Sequence, residues 1–402
     1  MAAPHRLGFA GGALWLGLAG LWWAGALLAA SMGAALPWAV APGLAHALLM
    51  GFASAPLFIS GFLFTAGPRW LGVAGPGAHV LLVPVALQVS GWSVFVAGVH
   101  SDARLAGLGL AAVAAGWGLA TLRFGALVQR SQRADRLHPA LLLAGCAAGV
   151  SGLALAAGAV ASGRVGLLRP LVHALLWCSL AQVFVVALHR MIPAFGGAGL
   201  PGEEPWGGKP GLTALVGLTA LEAALAAAQA AGLPLPPPLL WTAVVLELIG
   251  AVLLGAIVGR WLVTGRWSIR LLAMLNIGFA WLALALALSA ASHAARALGG
   301  PGLGLAPLHA LGAGFVGSVM FAMVGRVSAG HGGRVVAADS WLWRLFLVLQ
   351  AAVLLRLVSA LWVSLQPTIA PWAAVAWGVA VLGWAGRYLH WYGTPRPDGR
   401  PG

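Results

Sequence analysis

Three stretches of this chain decide its architecture: Pro42-Gly43-Leu44-Ala45-His46-Ala47-Leu48, Pro170-Leu171-Val172-His173-Ala174-Leu175 and Pro307-Leu308-His309-Ala310-Leu311. In each, a proline leads a His-Ala-Leu tripeptide into a long apolar run. The histidines stand 127 and 136 residues apart. Seventeen residues beyond the second and third lie Arg190 and Arg326, and both runs close in Gly-Gly, at Gly196-Gly197 and Gly332-Gly333. In the first copy the basic residue comes later, at Arg69. A fixed period of this kind dictates architecture, because each repeat folds as one unit against its neighbours. Here it predicts three units of about 130 residues.

Composition names the solvent. Soluble domains carry about a quarter charged residues, whereas this chain has 7% charged and 61% hydrophobic residues. Eight acidic side chains cannot keep so apolar a surface in water, so the partner of that surface is the lipid bilayer. The net charge of +14 would suggest nucleic acid in a soluble protein. The basic residues sit mostly in short loops between apolar runs, and nucleic acid is therefore not expected. Both cysteines, Cys146 and Cys178, fall inside apolar runs, which leaves no disulfide framework and no cysteine metal knuckle. The first apolar stretch, about Leu7 to Ala30, exceeds the roughly 7–15 residues of a signal-peptide core and reads as a retained span.

A helix needs about 20 apolar residues to cross the hydrocarbon. That rule predicts twelve spans, at 8–31, 43–66, 79–99, 105–127, 138–161, 170–192, 211–231, 238–258, 269–291, 305–326, 341–364 and 369–388. Backbone polar groups find no water in lipid, so these runs must be helical. The expected fold is an all-α integral membrane protein in one twelve-helix domain over 1–402. Its pseudo-threefold repeats of four helices would be 1–136, 137–268 and 269–390, with 391–402 as a tail. His-Ala-Leu opens the second helix of each unit. Sixteen Lys and Arg, including Arg266 and Arg400, fall on the side of both termini. Four lie opposite: Arg104, Arg164, Arg169 and Arg296. The positive-inside rule then makes both termini cytoplasmic, with tryptophans such as Trp38, Trp70, Trp206, Trp267 and Trp391 as interface anchors.

This orientation puts His46, His173 and His309 at one depth near the outer face, joined by His100 and His293. His189 and His331 lie on the cytoplasmic side. Ionisable groups in spans face a bundle interior or a cavity, and imidazole is the commonest metal ligand. Two arrangements follow for the three repeated histidines: a pair faces across a haem, or all three converge on copper. Met50, Met320 and Met323 lie on the same helices, where thioethers are either core filler or further ligands. Glu222 and Glu247 fall near mid-membrane, either as a proton site or as carboxyls bonded to a neighbour such as Arg356. Asn276 reads as an interhelical hydrogen-bonding residue.

Gly61-Phe62-Leu63-Phe64-Thr65-Ala66-Gly67-Pro68-Arg69-Trp70-Leu71-Gly72, Arg190-Met191-Ile192-Pro193-Ala194-Phe195 and Arg326-Val327-Ser328-Ala329-Gly330-His331-Gly332-Gly333-Arg334 resemble the signatures of the NnrS family. The resemblance runs the length of the chain. It implies a twelve-span bacterial inner-membrane protein containing haem, of b type, and also copper, and associated with nitric oxide, nitrosative stress and denitrification. It also implies family roles for His46, His309, His331, Arg190 and Arg326, and a respiratory or denitrification partner in the membrane. The chain departs from the family where a His-Ala-His-Glu-Met pattern is usual. Leu44-Ala45-His46-Ala47-Leu48 stands there, and His189 replaces a usual glycine.

The layout is also similar to the catalytic subunit of haem–copper oxidases. The sequence has no His-His and no His-x-His, however, and its tyrosines, Tyr388 and Tyr392, lie at the far end. Oxygen reduction by that machinery is not expected. The residues taken toward function are thus His46, His173 and His309 for cofactor or metal, His189, His331 and His293 as further metal ligands, and Arg190, Arg326, Glu222 and Glu247 as supporting polar groups. The alternative function is transport of a small solute or metal ion. A third reading is an assembly partner of a respiratory enzyme.

Overall fold

The computed structural model describes residues 3–195, 207–263 and 266–399. Gly196-Gly197, Trp206 and Arg400, as well as the Arg266 side chain, lie outside the described residues. Among the described residues there is no strand. Twelve helices are long and apolar enough to cross a membrane: Pro4–Ser31, Pro42–Leu63, Ala78–Val99, Ala103–Arg130, Leu137–Ala161, Val165–Ile192, Gly208–Ala230, Pro237–Val263, Arg270–Ala297, Ala306–His331, Ser340–Leu361 and Val363–Gly393. They are numbered here as spans 1 to 12. The count and order match the twelve apolar runs, and the chain is a multi-pass membrane protein. An even number of crossings returns both termini to one face.

Local chemistry sets the boundaries. Asp102 caps span 4, its Oδ1 accepting from the backbone N–H groups of Arg104 and Leu105 at 2.6 and 3.1 Å. Asp339 caps span 11 through the Leu342 N–H at 2.8 Å. Such caps satisfy donors that the helix leaves open. Pro42, Pro237 and Pro307 stand in the first turn of their helices, where a missing N–H costs nothing.

The three His-Ala-Leu helices form the centre of the bundle. In the apolar windows of spans 2, 6 and 10, 72%, 72% and 78% of residues are buried, against 28% in span 8. Each of the three also departs from regular α-helix just after its histidine. Span 2 breaks between Phe52 and Ala55. Pro56 follows, and its ring crowds the Phe52 carbonyl. The single run expected over 43–66 is therefore two helices, the second extending to Leu71 and closed by Gly72 at φ +66°. Spans 6 and 10 widen into π-helix over Leu176–Ala181 and Ala310–Gly317. Inserted turns of this kind occur often at functional sites.

Glycine sets how closely the outer spans approach. Gly91 of span 3 faces span 4 so tightly that a Cβ there would lie 2.7 Å from the Gly109 carbonyl oxygen and 2.9 Å from the Val113 nitrogen. Backbone cannot give way as a side-chain tip can. Gly217 of span 7 has nothing within 4 Å of the same position. The expected outcome is that Gly91→Val costs about 1–3 kcal/mol by overpacking, while Gly217→Ala stays within about 0.5 kcal/mol of the parent. Paired thermal melts in detergent read both, and equal melting temperatures would refute the close crossing.

Candidate functional site

The histidine-bearing ends of spans 2, 6 and 10 surround a cavity of about 670 Å³ in the half of the bundle away from the termini. His46, His173 and His309 all line it, with Met50, Met320, Arg169 and Arg356. The repeat thus brings its three half-buried imidazoles to the wall of one cavity. Met323, on the same helix as Met320, is buried elsewhere in the core.

The imidazoles are held differently. His46 lies against the Trp23 indole, with ring centres 4.0 Å apart and planes 25° from parallel. Its Nδ1 is buried without a hydrogen-bond partner. His309 is held at both nitrogens. Nδ1–H donates to the Leu305 carbonyl at 2.9 Å, and Nε2 accepts from the Arg356 Nε–H at 3.0 Å. Arg356 also donates to the Ser359 hydroxyl at 2.8 Å. His309 is within electrostatic reach of both His46 and His173. His100, expected at the same level, lies apart from this group. It accepts from the Trp22 indole N–H at 2.9 Å and donates from Nδ1 to the Pro37 carbonyl, also at 2.9 Å.

The arginines at the cavity were not singled out from the sequence for this purpose. Arg190 and Arg326 sit at the opposite ends of spans 6 and 10, and neither lines the cavity. Arg190 lies over the Trp70 ring at 4.7 Å. Arg356, read as a neighbour for Glu222 or Glu247, instead pairs with His309. The signal that could have found it is its place in span 11, a charge well inside an apolar run with no acidic residue in the same helix.

Glu247 finds its partner in His293, whose Nδ1 lies 2.9 and 3.0 Å from the two carboxylate oxygens. Glu222 stands beside them, its Oε1 3.6 Å from the same nitrogen. All three are buried.

Toward the termini, His189 and His331 belong to separate pairs. His189 Nδ1 is 2.9 Å from His138 Nε2, and its own Nε2 donates to the Gly208 carbonyl at 3.1 Å. Nearby, the Leu137 backbone N–H and the Lys209 ammonium hold the Asp135 carboxyl below its usual pKa. His331 packs against His5 with ring centres 4.8 Å apart, and its carbonyl accepts from Arg396 at 2.8 Å.

The NnrS protein family profile matches residues 1–396. The chain belongs to the NnrS family. Among curated proteins none matches it. Membership supports an NnrS-like role in the nitric oxide response.

The cavity of about 670 Å³ lies in the 300–1,000 Å³ range of organic-ligand pockets. The two arginines add fixed positive charge suited to carboxylates. The His309–Arg356 bond also makes a stability prediction of its own. Arg356→Leu leaves His309 Nε2 without its donor and should destabilise the metal-free protein by about 1–3 kcal/mol. Arg169→Leu, on the same cavity wall, should change the detergent melting temperature little. Equal losses would show that the hydrogen bond is not what matters.

Proposed function

We propose that this NnrS-family protein holds haem in the three-histidine cavity and binds or handles nitric oxide there, in a bacterial inner membrane with both termini cytoplasmic. One observation carries the reading. His-Ala-Leu, repeated in all three thirds of the chain, delivers its imidazoles to the wall of one largely apolar cavity that also carries two arginines. In this reading the chain comprises three four-helix units, 1–136, 137–268 and 269–390, each contributing one imidazole.

The residues present fit the group. His309, with Nδ1–H fixed on the Leu305 carbonyl, has the tautomer that leaves Nε2 as the donor nitrogen, and a hydrogen bond of this kind raises ligand basicity. His46 offers an open buried nitrogen. Met50, Met320 and His173 complete the donors on the wall. Arg356 and Arg169 would receive the propionate carboxylates, and Arg356 would leave His309 Nε2 in doing so. The haem would be held without covalent attachment, because Cys146 and Cys178 cannot form the Cys-x-x-Cys-His motif, and b type is what the family resemblance implies. When bound, haem supplies an iron position tuned by its axial ligands and by the polarity of its pocket. The chain's part is to exclude water with apolar walls, orient the imidazoles and neutralise carboxylates. His189, His331, Arg190 and Arg326 then serve the opposite face, in positive-inside anchoring.

The test is an absorption spectrum of detergent-purified protein. A Soret band is expected, shifting on addition of nitric oxide. His309→Ala should lower haem content by at least about tenfold, consistent with the loss of a direct ligand, and His331→Ala should leave it unchanged. A protein expressed with haem supply and lacking any Soret band, or a His309→Ala variant with full haem, would overturn the reading. Solute movement in vesicles of haem-free protein would favour the transport alternative instead.

A further inference from the structure

Spans 7, 8 and 9 carry a second polar centre, separate from the cavity. Glu222, Glu247 and His293 come one from each of these consecutive helices and are 3%, 0% and 3% exposed. None of them lines the three-histidine enclosure. One donor atom from each lies within 4.8 Å of the other two. The tightest approaches are 2.9 and 3.0 Å, from His293 Nδ1 to the Glu247 oxygens.

Two features point to a ligand. Glu222 Oε1 faces His293 Nδ1 at 3.6 Å and, though buried, has no hydrogen-bond partner of its own, the carboxyl's hydrogen bonds running to Glu247 and Ser289. Among the described residues, the imidazole is also the only basic group within ion-pair distance of either carboxylate. Arg296, one turn beyond His293, turns to Gly302, where its Nε is buried without a partner. Two carboxylates side by side in a lipid-embedded core therefore have no fixed cation to offset them.

We infer that Glu222, Glu247 and His293 form a binding site for one divalent first-row transition-metal ion. Two carboxylates balance a double positive charge, and the imidazole completes a mixed oxygen–nitrogen donor set suited to ions such as Mn²⁺, Fe²⁺ or Zn²⁺. Ligand bonds of about 2.0–2.2 Å allow two ligands of one ion to lie up to about 4.3 Å apart. Both approaches to His293 Nδ1, at 2.9 and 3.0 Å from Glu247 and 3.6 Å from Glu222, fall inside that limit. Binding would displace the proton that His293 Nδ1 shares with the carboxylates, as metal binding to such groups does.

The site also has a structural logic. Span 8 is the least buried of the twelve, presenting Val245, Leu248, Val252 and Leu253 outward. Glu247 is its sole charged residue before Arg260. An ion at Glu247 ties this peripheral helix to spans 7 and 9 at one point near its middle.

The experiment uses full-length protein in detergent, stripped with chelator, exposed to Mn²⁺ or Zn²⁺ alone and desalted. Metal per chain is then measured by mass spectrometry. The wild type is expected to retain one equivalent and to melt at a higher temperature with metal than without. The Glu222→Gln/Glu247→Gln double variant should lose that equivalent, while His331→Ala keeps it and haem content is unchanged in both. If the double variant does not fold, the single Glu222→Gln variant is read by Mn²⁺ paramagnetic resonance, where a loss of affinity of at least about tenfold is expected. A wild type that retains no metal, so that the carboxylates share only a proton, would overturn the inference. So would a double variant that retains the full equivalent.

Discussion

Lipid offers a buried polar group no partner, and that constraint organises the molecule. A backbone in hydrocarbon must bond within itself, so every apolar run becomes a helix and the twelve spans follow. The same rule applied to side chains turns each span's few polar groups toward one another. His46, His173 and His309 reach an enclosure inside the bundle, Glu247 reaches His293, and Trp281 and Ser318 meet on Gln350. Where such groups cluster, the bundle has an interior with chemistry in it.

The sequence displayed much of this. Span number, helical class and the shared depth of the three histidines follow from run length, composition and a single repeated tripeptide. The family followed from the motifs around Arg69, Arg190 and His331, and the profile match over residues 1–396 agrees. What the sequence did not display is partnership. Arg356 was visible as a buried charge, but whether it served a glutamate or a histidine depends on how span 11 rotates against spans 8 and 10. No spacing rule supplies that rotation. The tight Glu–His contact likewise joins residues 46 positions apart on helices whose packing angle is set by glycines and bulky side chains together.

The irregular turns were illegible for a different reason. Spans 6 and 10 read as ordinary apolar helices, yet both widen directly after the histidine. A π-helical turn has no strong residue signature. It arises where neighbouring helices crowd the ladder, and its cost is met by packing. Only in span 2 did the sequence hold the cause, since Pro56 obliges a break four residues upstream.

In each central span the departure from regularity follows the histidine: the break between Phe52 and Ala55, and the π-helical turns over Leu176–Ala181 and Ala310–Gly317. A helix that stays regular repeats its faces every 3.6 residues, so a histidine near one end fixes which face the rest of that helix presents. An inserted residue or a break releases that coupling. The short segment bearing the imidazole can then face the cavity while the remainder of the span keeps its own packing against the core. Bundle stability and imidazole placement thus become separable requirements, and the most buried helices in the protein can also be the ones that aim donor atoms into a space large enough for a ligand.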